Sequence, residues 1–385
     1  MTAFKLRAAL VPAIALLAFP AFAQNASEDS AMKASQPVTD CPLRDEAFSL
    51  DSPLIDILLS PRARAVAEQA LGLSFENLPA QFAGTQAPSF AAILTIRTAA
   101  SMLGKRDDAS LTRAEEALHE LPVTDADRMA RCARYDNDPL DVALPVGPRR
   151  ILLFEKINGF RDDPSVDAAH QALMRMAGQK GWAMVATDRG GAITPETLSQ
   201  FDAVIWNNIS GDVLTLSQRD ALRSYVEGGG GFVAIHGSGG DPVYFWDWYA
   251  DELLGARFQG HPMKPQYQDA RIVTEAEDHP VAADLPREWV MSDEWYSFRN
   301  NPRDSGSKII ATLDESTYSP VGYGGQDLRM GDHPIVWTRN VGKGRMLYSA
   351  IGHRPETYDH PVYLTMLEDA VEWASSTRDS AEAVQ

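Results

Sequence analysis

The sequence predicts an α/β protein built on a flavodoxin-like, doubly wound, mostly parallel sheet and preceded by a small all-α domain. Three observations carry this. From Arg150 onward short apolar runs alternate with helical patterns, as in βαβ units with right-handed crossovers. Four glycines, 228–231, close one helix and lead straight into Phe232-Val-Ala-Ile235, a run too short and too β-rich to be another helix and apolar on both faces. Between about Asp40 and Pro139 the signals are helical.

The chain has 385 residues, 44% of them hydrophobic, and a net charge of −18. So acidic a surface argues against nucleic acid and against anionic membranes as partners. Residues 1–23 read as a secretory signal: Lys5 and Arg7, then a mostly apolar stretch, then Ala21-Phe22-Ala23 as the cleavage pattern. The apolar stretch is shorter than a spanning helix, and no cysteine follows the cleavage point, so a soluble exported protein without a membrane anchor is expected. Residues 24–39 are a Ser/Ala/Asp-rich tether.

The helical domain covers 40–139. Ser52-Pro53 and Ser60-Pro61 each place a capping residue before a first-turn proline, and 90–103 and 111–121 carry two more helical patterns. Cys41 and Cys132, an even pair in an exported chain, suit a disulfide; two buried free thiols are the alternative. A proline-rich linker, 140–148, leads to the α/β domain, 149–374, and a short acidic tail, 375–385, ends the chain.

In the α/β domain the strands are Arg150 to Phe154, Trp182 to Ala186, Ala203 to Asn207 and Phe232 to Ile235. Helices start at Asp163, Thr194 and Thr215, the last with Gln218 completing a capping box. The order helix, glycines, strand excludes a phosphate loop, which needs strand, glycines, helix. Beyond His236 an aromatic-rich helix is expected over 243–254, then strands near 271–274, 289–291, 308–312, 335–339 and 345–350, and a last helix from Pro361 to about Trp373.

Open α/β sheets bind ligands at the carboxyl ends of their strands. Here those ends supply Phe160 and Arg161, then Asn207 and Asn208, then His236 and Asp241, a polar rim suited to a polar ligand. His353 follows a strand ending in glycine and so repeats the strand-end placement of His236, itself followed by glycine; two histidines at parallel strand ends are expected to meet. In Asp293-Glu294-Trp295-Tyr296, alternation puts Glu294 and Tyr296 on one face and Asp293 on the other. A carboxylate beside aromatic rings is the equipment of sugar sites, the rings stacking on the apolar face and the carboxylate binding hydroxyls or moving protons. His261 and His333, each before a proline, are further rim candidates. His236, His261 and His353 with a carboxylate form a candidate site for zinc or another divalent metal, without the short regular spacing of HExxH motifs.

From Arg149 to Ala374 the chain resembles the ThuA-like, or trehalose-utilisation, family. The likeness rests on Gly159-Phe160-Arg161, Gly229 to His236, Phe258-Gln-Gly-His261-Pro262, Asp278-His279-Pro280, Asp293 to Tyr296, Met330 to Trp337, and Gly344-Arg345 through Gly352-His353. The resemblance implies a class I glutamine-amidotransferase-like sheet. His236 stands where true amidotransferases carry their catalytic cysteine, so glutaminase chemistry is excluded. Members often have histidine after the Phe-Arg pair; this chain has Asp162. The family is associated with disaccharide catabolism and, by implication, with keto-glycosides. The expected function is therefore an exported carbohydrate-processing enzyme acting on a glycoside or keto-glycoside, a hydrolase or lyase. Glu294 or Asp293 would be acid/base, with His236 and His353 as partners; Phe160, Arg161, Asn207, Asn208, Asp241, His261, Trp295, Tyr296 and His333 would hold the sugar. The alternative is a non-catalytic sugar-binding domain on the same fold.

Overall fold

A computed structural model describes residues 37–102, 107–142, 144 and 146–377, which form one compact unit. The expected export signal lies outside the described residues, as do 24–36 of the tether and 378–385 of the tail. Among the described residues no helix is long and apolar enough to cross a membrane.

In the first part, helices α1 (Leu54–Leu59), α2 (Pro61–Leu71), α3 (Ile96–Met102) and α4 (Asp108–His119) share an apolar cluster that includes Phe48, Ile57, Phe75 and Leu118, while α5 (Asp125–Cys132) contributes Cys132 to a small separate cluster with Cys41 and Tyr135. Ser60 caps α2 as its Ser-Pro pattern predicts, its hydroxyl accepting the Ala63 N–H with Pro61 in the first turn. The Ser52-Pro53 pair behaves otherwise. Pro53 is itself the N-cap of α1, because an extended bridge pairs it with Thr95. The same bridge splits the helix expected over 90–103 into a 3-10 turn, Phe90–Ala92, and α3, with Leu103 outside the described residues. The helix expected from Leu111 starts earlier, since Asp107 accepts the Ser110 N–H at 2.6 Å and caps α4 at Asp108. Helix α5 carries too few apolar residues to announce itself. It is held by a Thr124/Asp127 capping box and by Cys132, which is disulfide-bonded to Cys41 with Cα atoms 5.3 Å apart.

The second part runs β1 (Arg150–Phe154), α6 (Asp163–Lys180), β2 (Ala183–Thr187), α7 (Pro195–Leu198), β3 (Ala203–Asn207), α8 (Leu216–Glu227) and β4 (Gly231–Ile235), all near their predicted places. Then follow β5 (Phe258–Gly260), β6 (Tyr267–Thr274), β7 (Glu288–Glu294), β8 (Ser297–Phe298), β9 (Lys308–Leu313), β10 (Pro334–Val341), β11 (Gly344–Ser349) and α9 (Pro361–Ser375). The nine-stranded sheet has the order β2-β1-β3-β4-β11-β10-β9-β6-β7. Its first five strands are parallel, in flavodoxin-like succession, with β4 in the interior. The other four extend it in antiparallel fashion, and β5 pairs with β8 as a separate ribbon.

Both capping-box partners of α8, Thr215 and Gln218, are engaged as the sequence implies. The aromatic helix expected over 243–254 is reduced to one wide π-type stretch, Trp248–Leu254. Stacking of Trp246 and Tyr249, and of Tyr249 on Trp206, governs the path there in place of helical periodicity.

Candidate functional site

The parallel strands β4 and β11 are hydrogen-bonded neighbours, so the residues beyond their carboxyl ends meet. His236 follows β4 with φ +35, a left-handed backbone uncommon for a side chain of this size, and Asn208 after β3 has φ +53. Strained backbone of this kind clusters at functional sites. His353 is set by the turn at Gly352 (φ +137), where a Cβ would come 2.7 Å from the Tyr358 hydroxyl and 3.2 Å from the His236 Cβ. Glu294, the last residue of β7, completes the group from the antiparallel half of the sheet.

The three side chains converge in the interior. His236 Nε2 lies 3.0 Å from His353 Nδ1 and 3.4 Å from Glu294 Oε2, and His353 Nδ1 lies 3.1 Å from the same oxygen. The other carboxylate oxygen, Oε1, faces His261 Nδ1 at 3.1 Å and accepts the Gln266 amide at 2.5 Å. Glu294 is 2% exposed. Burial would push its carboxyl up, but hydrogen bonds from His236 and His353 with the nearby imidazole charges hold it well below the usual range. Burial likewise would lower His353, but Glu294 first, then the charges of Asp162 and Asp293, raise it above an ordinary histidine. His236 Nδ1–H donates to the Ala350 carbonyl at 2.7 Å, so Nε2 is the ring nitrogen that faces the cluster. Tyr296 stacks on His236 with ring centroids 4.0 Å apart.

Asp293, adjacent in sequence, faces the other way. Its Oδ1 accepts the N–H groups of Glu294 (2.7 Å), His353 (3.0 Å) and Arg354 (3.3 Å). Its Oδ2 accepts Gly352 N–H (3.0 Å) and the Thr357 hydroxyl (2.7 Å). It is the anchor of the loop that presents His353. The two amides are similarly committed: Asn207 donates to Glu155 and to the Val166 carbonyl, and Asn208 donates to Asn207 and Tyr358 while accepting Gly237 N–H. Trp295 is fully buried, its indole N–H on the Gln268 carbonyl. His333 sits behind Tyr296, donating from Nε2 to the Tyr296 carbonyl, with Glu315 at Nδ1. Asp241 belongs to a separate aromatic-lined cavity, where it accepts Ser210 and Gly211; burial pushes its carboxyl up to about 7. Arg161 pairs with Asp163.

Beside His236 and His353 a cavity of about 20 Å³ is lined also by Phe160, Asp162, Ser165 and Tyr296, room for about one water. Asp162 Oδ2 stands 4.0 Å from His353 Nε2. Phe160 (38% exposed) and Tyr267 (42% exposed) flank the His353 ring, with centroids 6.2 and 5.5 Å away. Tyr267 and Gln266 escape sequence reasoning, since they start a strand with no motif of their own. The nearest signal is the turn-forming Lys264-Pro265 before them.

The cluster fits a divalent cation. Ligand atoms bound at roughly 2.0–2.2 Å in tetrahedral or octahedral array stand about 2.8–3.6 Å apart, which spans the separations among His236 Nε2, His353 Nδ1 and Glu294 Oε2. His236 also has the backing that metal-bound imidazoles show, its second ring nitrogen donating to a carbonyl. His261 faces the opposite carboxylate oxygen and stands apart from these three atoms.

The sequence model of the family described as ThuA, trehalose utilisation, matches residues 150–374. A ThuA-like protein from Bacteroides uniformis ATCC 8492 is similar in structure, with a TM-score of 0.52 at 25% identity over 61% of this chain and 95% of that one. A second from Parabacteroides merdae ATCC 43184 gives 0.45 at 18% identity over 60% and 90%. No curated protein matches significantly.

Proposed function

The chain belongs to the ThuA, trehalose-utilisation, family, and from that premise we propose that it is an exported carbohydrate-processing enzyme acting on a glycoside or keto-glycoside. The observation that carries this is the buried Glu294 carboxylate wedged among His236, His353 and His261. Burying charge is expensive, and a rim that only gripped hydroxyls would not need it. His353, kept protonated by Glu294, is the proton donor; His236, whose Nε2 is free of the backbone, is the acceptor. In a keto-glycoside the ketone acidifies the adjacent ring C–H. His236 removes that proton, the electron pair forms a C=C bond conjugated with the ketone, and the anomeric C–O bond breaks as His353 protonates the departing oxygen. Imidazoles suffice for this elimination, whereas glycoside hydrolysis ordinarily needs two free carboxylates, and Asp293 is wholly engaged. Phe160 and Tyr267 offer the apolar faces on which a sugar ring stacks. Export accords with the Cys41–Cys132 disulfide.

A divalent cation at the same three atoms is the second reading, favoured by their 3.0–3.4 Å separations. When bound it would polarise the substrate carbonyl. Elemental analysis of protein purified without chelator tests it. The function itself is tested by incubation with disaccharides and their 3-keto derivatives, products being read by mass spectrometry. Conversion of keto-glycosides, lost in His353→Ala, is expected; tight binding without turnover across the panel would establish a sugar-binding domain instead.

A further inference from the structure

We propose that the N-terminal helical segment builds a second sugar subsite beside the histidine–carboxylate cluster, in the groove between residues 85–88 and α5 on one side and the loop after β1 on the other. The inference rests on reading the ligand as a glycoside. The cavity at the cluster holds about one water, so most of any disaccharide must lie elsewhere. The groove has a volume of about 640 Å³, within the range of small-molecule sites. It adjoins the cluster through a single loop: Asn158 and Arg161 line the groove, while Phe160 and Asp162 line the cavity with His353. The wall opposite is contributed by residues outside the family match, and it packs closely on that loop. Ser89 N–H donates to the Asn158 carbonyl at 3.0 Å, Phe90 packs on Phe160 in a tilted pair with centroids 4.8 Å apart, and a Cβ on Gly159 would meet Ile93 at 2.6 Å.

The chemistry of the groove selects a neutral polyol. Most of its charged groups are already engaged: Arg134 with Asp56 (2.6 Å), Lys156 with Asp136 (2.7 Å), Arg161 with Asp163 (2.5 Å), and Glu155 with His170 and Asn207, while Asp188 stands exposed at the edge. An anionic ligand finds no unmatched cation among these, while hydroxyls can share the remaining donor and acceptor positions and donate to the Asp188 carboxylate. The apolar edges of Ile55, Leu59 and Pro88 lie beside them, and that mixture suits a pyranose with one apolar face.

Ala133 is exposed, lines the groove and has ordinary helical backbone, so Ala133→Trp fills the groove without disturbing the core. Calorimetric titration with methyl α-glucoside and trehalose, each also as its 3-keto form, reads the result. Wild type is expected to bind the disaccharide at least about tenfold more tightly than the methyl glycoside, and Ala133→Trp to abolish that advantage while leaving methyl-glycoside affinity unchanged. Gln86→Ala, at an exposed loop position, should lower disaccharide affinity alone and serves if the tryptophan variant is unstable. A disaccharide advantage that survives both variants, or is absent in wild type, overturns the subsite. Binding of neither sugar overturns the carbohydrate reading, and the subsite with it.

Discussion

Asp293 distinguishes a proton-transfer carboxylate from a loop anchor, and Asp293→Asn separates the two. Oδ1 serves three backbone donors, so the asparagine amide would direct its oxygen there and its NH2 toward Gly352 and Thr357. The Thr357 hydroxyl can rotate and accept, but the Gly352 N–H then faces another donor in the interior. A buried unsatisfied donor costs about 1–3 kcal/mol, and changing charged to neutral acceptors weakens each of the other bonds by roughly 1 kcal/mol. The expected loss is about 4–6 kcal/mol, counting the three bonds kept at Oδ1, a large fraction of a typical domain's stability. Urea denaturation measures it, with Thr357→Val as comparator at about 1–2 kcal/mol. A loss under about 1 kcal/mol accompanied by abolished turnover would refute the anchor assignment and restore Asp293 as a participant in proton transfer.

Glu294→Gln should lower the pKa of His353, because burial then acts with less opposition. Histidine NMR titration of metal-free protein reads the shift, and an unchanged value would detach the two residues. Since the raised His353 contributes stability below its unfolded pKa and loses it as pH rises through the folded one, the stability gap between wild type and variant should narrow at alkaline pH. Asp241 has the same sense. Its carboxyl stays protonated in the fold up to about 7 but ionises near 3.8 when unfolded, so it removes stability as pH rises between those values, on the order of 4 kcal/mol. Asp241→Asn should flatten that slope in denaturation curves taken from pH 4 to 8. Replacing both Cys41 and Cys132 with serine should cost about 4 kcal/mol, the bridge closing a separation of 91 residues; an unchanged melting temperature would show that it does not constrain the unfolded chain.

Much of the fold was legible locally. The alternation after Arg150, the Thr215/Gln218 capping box and the glycines before Phe232 are short-range signals, and each element they mark is present because its cap and apolar periodicity agree with its burial. Alternation likewise separates Glu294 from Asp293, since side-chain direction in a strand has period two. The convergence of His236 and His353 could be anticipated from two similar strand ends, but the contact required β4 and β11, 114 positions apart at their paired residues Gly231 and Arg345, to lie side by side. Other features follow from tertiary contacts alone. The Pro53–Thr95 bridge divides a helix whose local pattern is unbroken, and Asp293 becomes an anchor only because the 352–357 loop turns its N–H groups toward it. Tyr267 becomes a flank of His353 through pairing of β6 with β7, and Phe90 reaches Phe160 from a segment some seventy residues earlier. Sequence determines which groups exist and which way each element turns them. Which groups share a low-dielectric cavity, and hence hold one another's protons, is a property of distance and burial, and those are set when the sheet closes.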